Sequence, residues 1–117
     1  MATDHRLNPR ASVLLDGEIR IGGDGSWERA LVRDLSVTGA YVFTAASIPL
    51  QAEVHLRLTL PGADGPMQLR AMAVRSGEAR GAGEGLGHFA GLHFLALTEH
   101  VSRPLRAFVW SAIHGDR

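Results

Sequence analysis

The chain has 117 residues, with 12 basic and 12 acidic side chains and a formal net charge of zero. That length fits one domain, and an apolar share of 45% supports a core rather than a disordered segment. The absence of cysteine excludes a disulfide scaffold, a zinc finger, an iron–sulfur cluster and a thiol nucleophile, and zero net charge argues against a surface that grips nucleic acid throughout.

Met1 to Arg10 is polar and lacks the apolar stretch of a signal peptide. No apolar run approaches the roughly 20 residues of a membrane span. The expectation is a cytoplasmic domain without membrane insertion. Within this segment Arg6 and Arg10 form an RxxxR pair, with His5 and Pro9 beside them. All 12 basic residues are arginine, and one such pair in a chain of this composition arises by chance. A second, Arg29 and Arg33, does occur. Taken alone, the first pair reads as a solvated tail.

Ser12 to Ile21 reads as a strand, with Asp16-Gly17 marking a bulge, and Gly22 to Ser26 reads as a turn. Trp27 to Arg33 and Ala40 to Thr44 are short strands flanking Asp34-Leu35-Ser36-Val37-Thr38-Gly39, a DxSxxG stretch. Asp and Ser accept backbone N–H bonds at turns and Gly supplies a positive φ, so an ordinary turn also accounts for this stretch. Ala52 to Leu60 alternates most cleanly. Ala52, Val54, Leu56, Leu58 and Leu60 share one face, with Glu53, His55, Arg57 and Thr59 on the other. Pro61 to Pro66 breaks the chain, and Met67 to Arg75 resumes the alternation as the second arm of a hairpin. After a glycine-rich loop over Ser76 to Gly87, His88 to Leu95 places Ala90, Leu92 and Phe94 opposite Gly91 and His93.

The period then changes. Val101, Leu105, Phe108, Val109, Ala112 and Ile113 recur at helical spacing. Thr98 or Ser102 can cap this helix, and Pro104 favours Ser102, because proline is tolerated in a first turn.

Several patterns fail on context. Gly85-Leu86-Gly87-His88-Phe89-Ala90 matches a dinucleotide-binding fingerprint, but that motif needs a strand before it and a helix after it. His88 and His93 are five apart, on opposite faces of a strand, and cannot share a metal from it. None of the seven serines lies in a G-x-S-x-G elbow, and no carboxylate spacing suggests an acid–base pair. The reading is no enzyme, no metal and no cofactor.

RxxxR near the start of an all-β chain, followed by DxSxxG after the second strand, resembles the PilZ domain family, bacterial receptors for cyclic di-GMP. Gly91-Leu92-His93-Phe94 matches the glycine and phenylalanine of the family's last strand, and Ala73-Val74-Arg75 is similar to the end of the strand before it. Gln51-Ala52 stands where the family often has a glycine. His5 stands where it often has arginine, a position bearing on whether one nucleotide or a stacked pair binds.

The resemblance implies a six-stranded antiparallel β-barrel of the split-barrel type with one C-terminal α-helix. The chain then divides into a flexible RxxxR segment (1–11), a barrel (12–97) and a helix (98–114), all one domain. It implies a cyclic di-GMP site built by Arg6, Arg10, Asp34, Ser36 and Gly39, with His5 and Pro9 as modulators. Arg is suited to the O6/N7 edge of guanine and to phosphate, and Asp34 to the N1 and N2 hydrogens. Ser36 can donate to a phosphate or a guanine acceptor, and Gly39 allows close backbone approach. Ligand would fold the N-terminal flap across the barrel, and the changed surface would be read in trans by an unidentified effector protein. The chain itself would be a monomer or a homodimer. A PilZ-like adaptor that binds proteins and not nucleotide is the alternative. A small all-β enzyme lacks a catalytic constellation, and DNA or RNA binding lacks both net positive charge and stacking aromatics.

Overall fold

The computed structural model describes residues 10–23, 25–83 and 85–114. Six strands and one helix follow in chain order: β1 (Ala11–Ile21), β2 (Glu28–Leu35), β3 (Gly39–Thr44), β4 (Glu53–Leu58), β5 (Met67–Glu78), β6 (His88–Phe94) and α1 (Glu99–His114). The strands close into a barrel in the order β1-β2-β3-β6-β5-β4, with every neighbouring pair antiparallel. Closure leaves no unpaired sheet edge. This is the six-stranded barrel with a terminal helix that the family resemblance implies.

The period-two residues fill the barrel. Val54, Leu56, Leu58 and Leu60 from the β4 region meet Leu69, Ala71 and Ala73 of β5 and Ala90, Leu92 and Phe94 of β6. Val32, Leu35 and Val42 close the other side. Each aliphatic side chain buried this way contributes about 1.5–3 kcal/mol.

Three local expectations change. Asp16-Gly17 is not a bulge; the β1 register shifts earlier, between Ser12 and Leu15. Gly17 instead lets β4 approach, since a Cβ there would lie 2.8 Å from the Arg57 carbonyl oxygen. Trp27 precedes β2 rather than opening it, and its ring lies under two guanidinium groups, Arg57 at 4.0 Å and Arg20 at 4.7 Å.

The helix starts at Glu99, so Thr98, not Ser102, holds the capping position. The Thr98 carbonyl accepts the amides of Val101 and Ser102. Ser102 lies within the helix, where its hydroxyl donates to Glu99. Pro104 is tolerated there because it sits on the solvent side, as does His100, whose carbonyl loses the proline N–H and can turn to water. Leu105 and Val109 bury the helix, with Val101 and Phe108 packed against the core, whereas Ala112 and Ile113 extend the apolar stripe into solvent.

Candidate functional site

The turn between β2 and β3 is organised by Ser36. The Ser36 amide donates to the Gly39 carbonyl at 2.9 Å. The Ser36 hydroxyl oxygen accepts the amides of Thr38 and Gly39, each at 3.1 Å, and shares a proton with the Thr38 hydroxyl at 3.1 Å. At 3% exposure this hydroxyl sits inside the turn, and the exposed residue beside it is Thr38. Gly39 does not adopt a left-handed φ. It serves strand approach instead, because a Cβ on Gly39 would run into the Leu92 carbonyl oxygen of β6.

The register fixes what surrounds this turn. Antiparallel partners point to the same side of a sheet. Asp34 pairs with Ser12 on β1 and Tyr41 on β3, Tyr41 pairs with Gly91 on β6, and Gly91 pairs with Arg75 on β5. Ser12, Asp34, Tyr41, Gly91 and Arg75 therefore form one row across five strands on the outer face. The next row holds Gly39 and His93. Two irregularities align this pattern, a register shift between Val32 and Asp34 and another between Ala73 and Arg75. The Tyr41 ring stacks on Phe89 at 5.3 Å between centroids and meets Phe43 edge-on at 5.5 Å.

A cavity of about 170 Å³ opens on these rows. Arg10, Ser36, Thr38, Gly39, Tyr41, Arg75, Gly91 and His93 line it, together with Ala40, Val74 and Leu92. Its described lining carries two guanidinium groups and an imidazole, and no carboxylate. Such a surface suits an anion. The volume lies below the roughly 300 Å³ at which pockets enclosing a small molecule begin, so a larger ligand would rest on the barrel face.

Of the predicted site residues, Arg10, Ser36 and Gly39 come together at this cavity. Asp34 is half-buried beside Tyr41 and outside the cavity lining. Arg6, His5 and Pro9 lie outside the described residues. Sequence reasoning did not single out Thr38, Tyr41, Arg75 or His93 as lining. The available signal was Gly91, a glycine in mid-strand, which marks a place where something passes close to the backbone. No three His, Asp or Glu side chains converge to hold a metal ion among the described residues. Nor is any described helix long and apolar enough to cross a membrane.

Among solved structures, the chain is similar to the PilZ domain of YcgR from Escherichia coli with c-di-GMP. Identity is 17% and the TM-score 0.72, over 95% of this chain and 93% of that one. It is also similar to the Bacillus subtilis inhibitor of motility, MotI/DgrA, at 18% identity and a TM-score of 0.72, over 96% of this chain and 51% of that one. The chain thus spans about half of that protein. The PilZ domain of CeSA from a cellulose-synthesizing bacterium aligns at 22% identity and a TM-score of 0.63, over 91% of this chain and 99% of that one. These likenesses establish the fold. No curated protein matches the sequence. The profile of the PilZ domain matches residues 4–110, a span that includes both arginines of RxxxR, the whole DxSxxG turn and all six strands. The chain belongs to the PilZ domain family.

Proposed function

We propose that the chain is a receptor or adaptor domain for cyclic di-GMP and not an enzyme. The observation that carries this reading is the cavity. Arg10 arrives there from the chain before β1, and Ser36, Thr38 and Gly39 of the β2–β3 turn line it beside the outer face that carries Asp34. The ligand needs groups that grip phosphate and groups that read guanine. Guanidinium forks supply the first and also bond the O6/N7 edge. Asp34, a carboxylate next to Tyr41, supplies an acceptor for the guanine N1 and N2 hydrogens. Ser36 acts through the turn, holding Thr38 and the backbone at the surface, and Arg6 joins Arg10 from the neighbouring segment. The E. coli YcgR PilZ domain, of the same fold, was solved with c-di-GMP, which supports the same ligand class here.

The N-terminal segment folds over the bound nucleotide, and the altered surface is read by a partner protein. A proline fixes its own φ and disfavours the helical region for the residue before it, so the Asn8-Pro9 sequence would lower the entropy lost on such closure.

Thermal unfolding with and without nucleotide tests the reading. A ligand that binds only the folded state stabilises it by about 2.7 kcal/mol at a hundredfold excess over Kd. The melting temperature should rise with cyclic di-GMP and not with GMP at equal concentration. An unchanged melting temperature at millimolar cyclic di-GMP would favour the protein-binding adaptor instead.

A further inference from the structure

We propose that Arg75 and His93 form a second anion-gripping wall of this site, supplied by the barrel itself, and that His93 couples nucleotide affinity to pH. The inference rests on the cyclic di-GMP reading above and adds two residues outside both sequence motifs.

Arg75 reaches the cavity through a specific local geometry. The register of β5 against β6 shifts between Ala73 and Arg75, leaving Val74 and Arg75 both exposed. Opposite stands Gly91, and a Cβ built there would lie 3.4 Å from the Arg75 Cβ and 3.8 Å from its Cδ. The arginine stem therefore lies across the bare backbone of Gly91, and the side chain lines the cavity together with Tyr41. Five other arginines are held by carboxylates: Arg29 by Asp16, Arg57 by Glu18, Arg70 by Glu53, and Arg103 and Arg106 by Glu99. Arg75 has no such partner among the described residues. It faces the cavity shared with Arg10.

His93 is two residues along β6 from Gly91, on the same face, exposed and lining the same cavity. Its β3 partner is Gly39 and its β5 partner is Met72, neither of them charged. The ionisable groups lining the cavity with it are Tyr41 from β3, Arg75 from β5 and Arg10 from the segment before β1. Among the described residues no carboxylate lines the cavity; on the His93 row, beyond Met72, stands Glu53 of β4, which is held by Arg70. Imidazole is the side chain whose charge ordinarily changes between about pH 5 and 8, whereas a phosphodiester stays anionic throughout. Protonation of His93 adds a cation to the site, so affinity rises as pH falls, and by reciprocity the ligand favours the protonated form.

The experiment is calorimetric titration with cyclic di-GMP at pH 5.5 and 8.0, for the wild type, Arg75→Gln, Arg75→Lys and His93→Gln. Both positions are exposed, and melting without ligand verifies that each variant folds. The wild type should bind several-fold more tightly at pH 5.5. His93→Gln should flatten that response, and because His5 is intact in this variant, a flattened response excludes His5 as its source. Arg75→Gln should lose about tenfold at both pH values and show a shallower salt dependence, with Arg75→Lys between. If the wild type binds but both glutamine variants match its affinity and pH response, this inference falls and the receptor reading stands. A folded wild type that binds at neither pH overturns both.

Discussion

Replacing Gly39 by alanine isolates the reason for a glycine in DxSxxG. The new methyl group would run into the Leu92 carbonyl oxygen, a backbone atom that no rotamer change can move. Relief requires β3 and β6 to separate by roughly an ångström, and overpacking of this kind costs about 1–3 kcal/mol. Beside it, the Phe94 amide donates to the Thr38 carbonyl at 2.8 Å, and loosening that bond adds about 1 kcal/mol. The sum is about 2–4 kcal/mol, or roughly 8–16 °C in melting temperature for a domain of this size. Urea unfolding of the wild type, Gly39→Ala and Gly39→Asn reads the effect. Asparagine tolerates a left-handed φ, so if backbone conformation were the reason, it would restore most of the loss. Strand proximity predicts that asparagine is at least as damaging as alanine. A loss below about 0.5 kcal/mol for alanine, or clear rescue by asparagine, refutes the reasoning.

Two further outcomes follow from local structure. Gln51 adopts a left-handed φ of 68°, which costs a non-glycine residue roughly 1–2 kcal/mol, while glycine there costs about 0.5–1 kcal/mol in unfolded-state entropy. Gln51→Gly should therefore leave stability unchanged or raise it by up to about 1.5 kcal/mol in urea unfolding; a clear loss contradicts backbone strain at Gln51. The Glu53 carboxyl is held below its ordinary range, first by a hydrogen bond from Arg70 and then by the charge of that guanidinium. With a lowered folded value, the associated stabilisation is present above the ordinary carboxylate range and is lost as pH falls through the lowered one. Arg70→Gln should raise the Glu53 titration midpoint followed by NMR, and identical midpoints in both proteins would exclude the pairing.

Strand content was legible because one face of each strand is buried and the apolar residues alternate, as Val54, Leu56 and Leu58 do against His55 and Arg57. Irregularities were not. A register shift breaks the alternation by one residue, so Val74 reads as a strand residue of uncertain side until Arg75 is seen beside it on the surface. The helix range was legible but its cap was not: Pro104 argues for Ser102, whereas in the fold the proline sits inside the helix on its solvent side, where the freed His100 carbonyl can bond to water. The DxSxxG and RxxxR motifs were legible as short local patterns. Tyr41, Arg75 and His93 were not, because their place beside the turn follows from which strands neighbour each other around the barrel. The placement of β6 between β3 and β5 has no local signature in the sequence. Gly39 reads in the sequence as a source of φ freedom and of backbone approach to a ligand; the close approach seen across the sheet is that of β6, which no local pattern announces.

The proposed ligand site places cyclic di-GMP on the β2–β3 turn face, held by the motif residues. Calorimetric titration of the wild type beside Arg6→Ala, Arg10→Ala and Asp34→Ala tests it most directly. Saturable binding by the wild type is expected, with a loss of about tenfold or more in each variant, as when a hydrogen bond to a charged group is removed. Wild-type affinity in all three variants, or no binding by the folded wild type, would contradict it.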